Sequence, residues 1–335
     1  MGEDQEGERL SGPGGNSALA DARSGRLCEG AGSRPRSLIS FADLSKLEVS
    51  MLLDRAEELK AARGRTDVPK PLAGKSVAMI FEKPSTRTRV SLEVATCELG
   101  GHGLYLSANE LQLGRGETVA DTGRVLSRYV HGITARVFDH RTVVALSAHA
   151  TVPVVNALSN LEHPCQILAD LMTIREHFGR FSGLKVAWIG DGNNVCNSLI
   201  LACALTGMKV VAACPAGYEP DLGIMKKAAA IGGRPQIIRS PEEAAEGADV
   251  VVTDTWVSMG DEAESAERLS VFSRYQVNRA LVEHASVDAI VMHCLPAHRG
   301  QEITDDVMDG PRSAVFDEAE NRLHTSKAVL AWLIG

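Results

Sequence analysis

A chain of 335 residues has room for one large or two medium domains with sizeable cores. Its formal net charge of −8 provides no basic footprint for a nucleic-acid partner, and no stretch reaches the ~18 apolar residues that a membrane span needs. The seven cysteines are odd in number, scattered and never spaced Cys-x-x-Cys, which argues against a disulfide scaffold or structural zinc and fits a reducing, cytoplasmic setting.

Residues 1–36 are rich in Gly, Ser, Glu and Arg and almost lack apolar periodicity, so they read as a disordered tail that cannot offset its own ordering entropy. The acidic opening (Glu3, Asp4, Glu6) and the lack of an apolar stretch suit neither a transit peptide nor a secretory signal. From Leu38 an amphipathic helix is expected, capped by Ser40 or Asp43 and running through Leu44, Leu47, Val49, Leu52 and Leu53 toward Ala62. Pro69, Pro71 and Gly74 then punctuate the chain before the apolar strand Val77 to Phe81.

That strand empties into Ser85-Thr86-Arg87-Thr88-Arg89, followed by a helical pattern through Val90, Val94, Cys97 and Leu99. A strand-to-helix turn presents free backbone N–H groups and the positive end of the helix dipole, which makes an anion site. Three hydroxyls and two guanidinium groups add side-chain donors suited to phosphate or carboxylate oxygens. A small phosphate is the expected ligand.

A second strand-helix unit follows, with a short strand at 103–106 and a helix at about 119–130. Between them, residues 109–117 are too polar and Gly-rich for a core and read as a surface loop able to reach a neighbouring subunit. The strand at 132–138 carries Arg136 among apolar neighbours. Strands alternating with helices predict a mainly parallel sheet covered on both faces. At Glu162-His163-Pro164-Cys165-Gln166 the chain turns into a long helix ended by Gly179, the natural connector between two domains.

The second half opens with the strand Lys185 to Ile189 and Gly190-Asp191-Gly192-Asn193-Asn194. Its Gly-x-Gly invites a dinucleotide reading, but Val195 occupies the third glycine position and the next strand ends without an acidic residue for a ribose, so a nicotinamide cofactor is not expected. Two further strands end at Asp254-Thr255-Trp256-Val257-Ser258-Met259-Gly260 and at His293-Cys294-Leu295-Pro296. Open α/β sheets bind ligands beyond the carboxyl ends of their strands, so Asn194, Asp254 and Cys294 should converge on one crevice. There Asp254 suits an ammonium, while the Asn194 amide and the turn N–H groups near Met259 suit a carboxylate.

Ser-Thr-Arg-Thr-Arg at 85–89, His-Pro-Cys-Gln at 163–166, Asp-Thr-Trp-Val-Ser-Met-Gly at 254–260, His-Cys-Leu-Pro at 293–296 and Phe-Asp-Glu-Ala-Glu-Asn-Arg at 316–322 together resemble the ornithine carbamoyltransferases, within the aspartate/ornithine carbamoyltransferase superfamily. The first motif is common to all transcarbamoylases; the Ser-Met-Gly turn is the one specific to ornithine. The resemblance implies a two-domain α/β fold, each domain a mainly parallel sheet with helices on both faces. Residues 37–165, completed by a C-terminal helix at 320–335, would bind carbamoyl phosphate; 166–180 would form the interdomain helix and 181–319 the ornithine domain.

It further implies that Ser85, Thr86, Arg87 and Thr88 hold the phosphate, that Pro164 and Cys165 belong to the same site, and that Arg136, His163 and Gln166 face the carbamoyl group. Asn194, Asp254, Ser258 and Met259 would grip ornithine, Cys294 and Leu295 would lie near the reacting amine, and Arg322 would contact the carbamoyl side. No metal or organic cofactor is required, and Gln112 would complete the site from the adjacent subunit of a homotrimer. The δ-amine of ornithine must lose a proton to attack, and either Cys294 or Asp254 could favour that. A binding module without activity, or transfer to another amine such as putrescine, are the competing readings. Whether the reaction runs toward arginine synthesis or citrulline breakdown lies beyond the sequence.

Overall fold

The computed structural model describes residues 35–108, 116–257 and 264–335. Residues 1–34 of the expected tail, together with Gln112, Ser258 and Met259, lie outside the described residues. Helix α1 (Lys46–Ala61) is capped by Ser45 rather than by Ser40 or Asp43. Ser45 and Glu48 form a reciprocal capping box, with the Ser45 hydroxyl accepting the Glu48 N–H at 3.3 Å and the Glu48 carboxylate accepting the Ser45 N–H at 2.9 Å. Ser40 instead caps the short 3-10 turn Phe41–Asp43. This start leaves Leu47 79% exposed, while Val49, Leu52, Leu53, Ala56 and Leu59 form the buried face.

The first sheet contains β1 (Ser76–Phe81), β2 (His102–Ser107), β3 (Gly132–Arg136) and β4 (Val154–Leu158), all parallel, in the order β2-β1-β3-β4. Its crossovers are α2 (Thr86–Glu98), α3 (Val119–Leu126) and α4 (His140–His149). In α2 the buried positions are Thr88, Leu92, Ala95 and Thr96, with Leu99 buried at the C-cap; Val90 and Cys97, expected on the apolar face, are exposed. α3 stops short of the expected Val130, where the Ser127 hydroxyl caps the Gly123 carbonyl at 2.6 Å.

Helix α5 (Pro164–Phe178) is buried over most of its length and ends at Gly179 with φ 67°, a left-handed position that glycine adopts without penalty. It leads to a second sheet built from β5 (Lys185–Ile189), β6 (Lys209–Ala213), β7 (Gln236–Ile238), β8 (Val250–Thr253) and β9 (Ile290–His293). This sheet is also parallel, in the order β7-β6-β5-β8-β9. Helices α6 (Asn194–Thr206), α7 (Leu222–Ala230), α8 (Pro241–Ala245), α9 (Ser265–Phe272), α10 (Arg279–Val282) and α11 (Asp305–Met308) accompany it. At the turn after β5, a Cβ on Gly192 would fall 2.3 Å from the Pro220 nitrogen. The second glycine of Gly-x-Gly is thus required by a neighbouring backbone, without any dinucleotide.

The chain closes with α12 (Val315–Ile334), which packs against α1, α2 and α5. Leu330 and Ile334 enter the core that holds Val77 and Met79 of β1. Among the described residues no helix is long and apolar enough to cross a membrane.

Candidate active site

The carboxyl ends of both sheets border a cleft of about 900 Å³. From the first sheet it receives Ser85, Thr86, Arg87 and Thr88 at the start of α2, and Arg136 at the end of β3. Ser85 is the N-cap of α2: its hydroxyl accepts the Thr88 N–H at 3.4 Å and donates to Thr88 Oγ1 at 3.1 Å. Only one of the two arginines of the motif enters the cleft. Arg89 turns away, donating to Glu93 at 3.1 Å and lying 3.8 Å over the Tyr105 ring.

Thr88 is where three parts of the chain meet. Its hydroxyl oxygen accepts from Arg322 Nη2 at 3.0 Å and lies 3.5 Å from Arg136 Nη1. Both arginines are buried: burial and then the Arg322 charge lower the pKa of Arg136 to about 10, so it remains cationic at neutral pH, and burial with the nearby Arg87 charge lowers that of Arg322. Two buried guanidinium groups beside Arg87 and a helix N-terminus make a strong anion site.

His163 is the N-cap position of α5 and is held by its backbone N–H on Ser198 Oγ at 2.9 Å. Burial, and then the Arg322 and Arg136 charges, push its pKa well below the ordinary histidine value, so the ring is neutral. Its Nδ1 is buried with no hydrogen-bond partner among the described residues. Gln166, one turn on, accepts from Arg322 Nη1 at 2.6 Å. Pro164 and Cys165 do not line the cleft; the Cys165 thiol faces the Asn156 carbonyl at 3.5 Å and burial pushes it up to about 11.

The second sheet contributes Asn194, Asp254, Cys294 and Leu295. Asp254 follows β8 and Cys294 follows β9, and the Cys294 thiol donates to Asp254 Oδ1 at 3.0 Å. Asp254 Oδ2 accepts from Asn193 Nδ2 at 2.8 Å. Asn193 is a residue that sequence reasoning passed over in favour of Asn194; its signal was its place as N-cap of α6, where its Oδ1 accepts the Val195 and Cys196 N–H groups and its Nδ2 is left for Asp254. Asn194 Nδ2 donates instead to the Ser159 carbonyl at 2.6 Å, bridging the two halves. Burial, then Asp254 and Glu318, hold the Cys294 thiol well above its ordinary pKa, so it is protonated at neutral pH. Leu295 adopts φ 58°, a left-handed conformation that costs a branched residue of order 1–3 kcal/mol and recurs at functional turns.

Asp254, His293 and Cys294 offer ligand atoms within 4.8 Å of one another. Both nitrogens of His293 are already engaged: Nδ1 accepts the Leu295 N–H at 2.9 Å, which leaves the proton on Nε2, 3.2 Å from Glu302. A metal there would have to break one of these bonds.

Sequence reasoning also missed Asp170 and Glu318, both buried behind Gln166. Their only signal was that an acid sits four residues after Gln166 and another four before Arg322.

Comparison with known proteins gives two family matches. Residues 36–176 match the carbamoyl-P binding domain, and 182–333 the Asp/Orn binding domain, of the aspartate/ornithine carbamoyltransferases. The chain is 56% identical over 300 residues to the ornithine carbamoyltransferase of Archaeoglobus fulgidus, covering 90% of this chain and 98% of the relative. It is 53% identical over 304 residues to the anabolic ornithine carbamoyltransferase of Pyrococcus furiosus, covering 90% of this chain and 96% of that one. A solved ornithine carbamoyltransferase structure from Pyrococcus furiosus superposes with a TM-score of 0.86 at 53% identity, over 90% of this chain and 98% of that chain. With parallel sheets, an anion site and an acid-thiol pair meeting in one cleft, the chain belongs to the aspartate/ornithine carbamoyltransferase family.

Proposed function

We propose that this carbamoyltransferase moves the carbamoyl group of carbamoyl phosphate to the δ-amine of L-ornithine, giving L-citrulline and phosphate, in the direction of arginine synthesis. The observation that carries the reading is the meeting in one cleft of the α2 anion site with the Asp254–Cys294 pair. The names of the relatives supply the amine, and the anabolic relative supplies the direction.

In this reading Ser85, Thr86, Arg87 and Thr88 hold the phosphate, with Pro164 and Cys165 supplying the first turn of the helix that carries Gln166. Arg136 and neutral His163 donate to the carbamoyl oxygen, where charge develops as the amine attacks; each such donor is worth ~3 kcal/mol in the transition state. The N–C bond forms, the C–O bond to phosphate breaks, and phosphate leaves into the arginine cluster. Asn194, Ser258 and Met259 grip the amino-acid end of ornithine with Asp254, while Leu295 lies beside the amine. Of the two groups able to favour the neutral amine, the thiol already holds its proton, so Asp254 is the acceptor and Cys294 orients it.

Residues 37–165 with the C-terminal helix would form the carbamoyl phosphate half, 166–180 the connector and 181–319 the ornithine half. The assembly would be a cytoplasmic homotrimer in which Gln112 reaches a neighbouring cleft. Light scattering at about three times the 35.7 kDa chain mass checks it.

Competing ornithine against putrescine in one assay tests the reaction: citrulline should dominate, because putrescine has no carboxylate for the second half to meet. Carbamoylputrescine as the main product would overturn the choice of amine.

A further inference from the structure

Gln166, Asp170 and Glu318 form a buried polar cluster behind the cleft, each about 1% exposed. Only Gln166 lines the cleft. Its Nε2 donates to Asp170 Oδ1 at 2.9 Å and to Glu318 Oε1 at 2.7 Å, so both hydrogens of the amide are spent on acids. Its Oε1 accepts from Arg322 Nη1 at 2.6 Å. The opposite orientation would set the amide oxygen against two acceptors and the NH2 group against a guanidinium that has no acceptor. The chemistry of the neighbours thus admits one orientation.

We propose that Asp170 and Glu318 are positioning residues that hold the Gln166 amide with its oxygen toward the carbamoyl group, and thereby make the site select a carbamoyl phosphate over an acetyl phosphate. The inference rests on the carbamoyl-transfer reading above. An amide oxygen has two lone pairs, and Arg322 takes one. The second can accept an N–H from a carbamoyl NH2 group, whereas the methyl group of an acetyl phosphate offers no donor. A site that presents an acceptor disfavours the analogue lacking the donor, because the buried oxygen is then left unpaired.

The two acids act as a unit. Burial raises both carboxyl groups above their ordinary range, so the pair shares one proton and presents acceptors to Gln166 without carrying two charges. The other oxygen of Glu318 accepts the His293 N–H at 2.9 Å, next to Cys294. The amide facing the carbamoyl group and the strand end facing the amine are therefore tied to the same carboxyl.

The readout is a ratio: the inhibition constant of acetyl phosphate, competing with carbamoyl phosphate, divided by the KM for carbamoyl phosphate. Asp170→Asn keeps the size of the side chain but offers a donor where Gln166 now meets only acceptors, and Asp170→Asn/Glu318→Gln does so on both sides. The ratio should fall roughly two- to tenfold, most in the double variant, as expected for one lost hydrogen bond. In a Gln166→Leu background, where no amide remains to be oriented, Asp170→Asn should leave the ratio unchanged. Should the double variant fail to fold, the isosteric single variant decides. Both constants rising together at a constant ratio would show a merely structural role and overturn the inference, as would a further fall in the Gln166→Leu background. Absence of citrulline with the unaltered protein would overturn the carbamoyl-transfer reading itself; normal citrulline production with an unmoved ratio would overturn only the positioning role.

Discussion

Cys294 Sγ donates to Asp254 Oδ1 across 3.0 Å, joining the ends of the adjacent parallel strands β9 and β8. The direction of that bond assigns the two groups different tasks. A thiol held protonated is a donor, and the carboxylate it faces is the acceptor available to an incoming ammonium.

Asp254→Asn preserves shape and removes the charge. Loss of a charge-assisted hydrogen bond to the ammonium should lower kcat/KM for ornithine roughly ten- to a hundredfold, from about 1.5–3 kcal/mol. Carbamoyl phosphate affinity, measured by calorimetry, should barely change. Equal losses for both substrates would contradict the assignment.

Cys294→Ser keeps a hydrogen-bond donor toward Asp254 and should cost ~10- to 100-fold in kcat. Because the thiol is protonated, iodoacetamide at pH 7 should label exposed Cys97 well before Cys294, with Cys294 becoming reactive only in alkaline solution. Mass spectrometry of the labelled peptides reads this directly, and a carbamoylated Cys294 on the kinetic pathway would refute the non-covalent route.

Arg87→Ala removes a cleft-lining guanidinium at the start of α2. The KM for carbamoyl phosphate should rise about ten- to a hundredfold with the melting temperature little changed. An unchanged carbamoyl phosphate dependence would reduce the turn to a structural cap.

Asp170 and Glu318 also predict how stability varies with pH. Both folded-state carboxyl groups are raised by burial, so at neutral pH folding takes up a proton that the unfolded chain does not hold. The stabilisation is complete below the ordinary carboxylate range and is lost as pH rises through the raised folded value, with a limiting slope of about 1.4 kcal/mol per pH unit. Asp170→Asn/Glu318→Gln abolishes that uptake, so its stability relative to the unaltered protein should improve with rising pH from 5 to 8, as read from denaturant unfolding. A difference independent of pH would show that the pair shares no proton.

Much of the site was legible in the chain because its parts lie at strand ends. Ser85 to Thr88, Arg136, Asn194, Asp254 and Cys294 each follow an apolar run, and parallel strands deliver the residues after them to one edge. Local spacing did not place the exact cap of α1, because Ser40 with Asp43 and Ser45 with Glu48 both form reciprocal capping boxes, the first opening only a 3-10 turn and the second the 16-residue helix. Nor did it distinguish Arg87 from Arg89, which are chemically alike and differ only in that Tyr105 and Glu93 lie within reach of the second.

By itself the sequence determined the alternation of strands and helices and hence two parallel sheets, the anion-binding turn, and the acid and thiol at neighbouring strand ends, since these follow from side-chain period and from residue type. The tertiary structure alone decided the polar interior around Arg322: Glu318 and Asn321 of α12, to which the sequence assigned no task, are buried against α1, α5 and the back of the cleft. The physical reason is that charged groups leave water only where partners wait for them, and the partners here, Lys60, Gln166, Asp170 and Thr173, lie more than a hundred residues away along the chain.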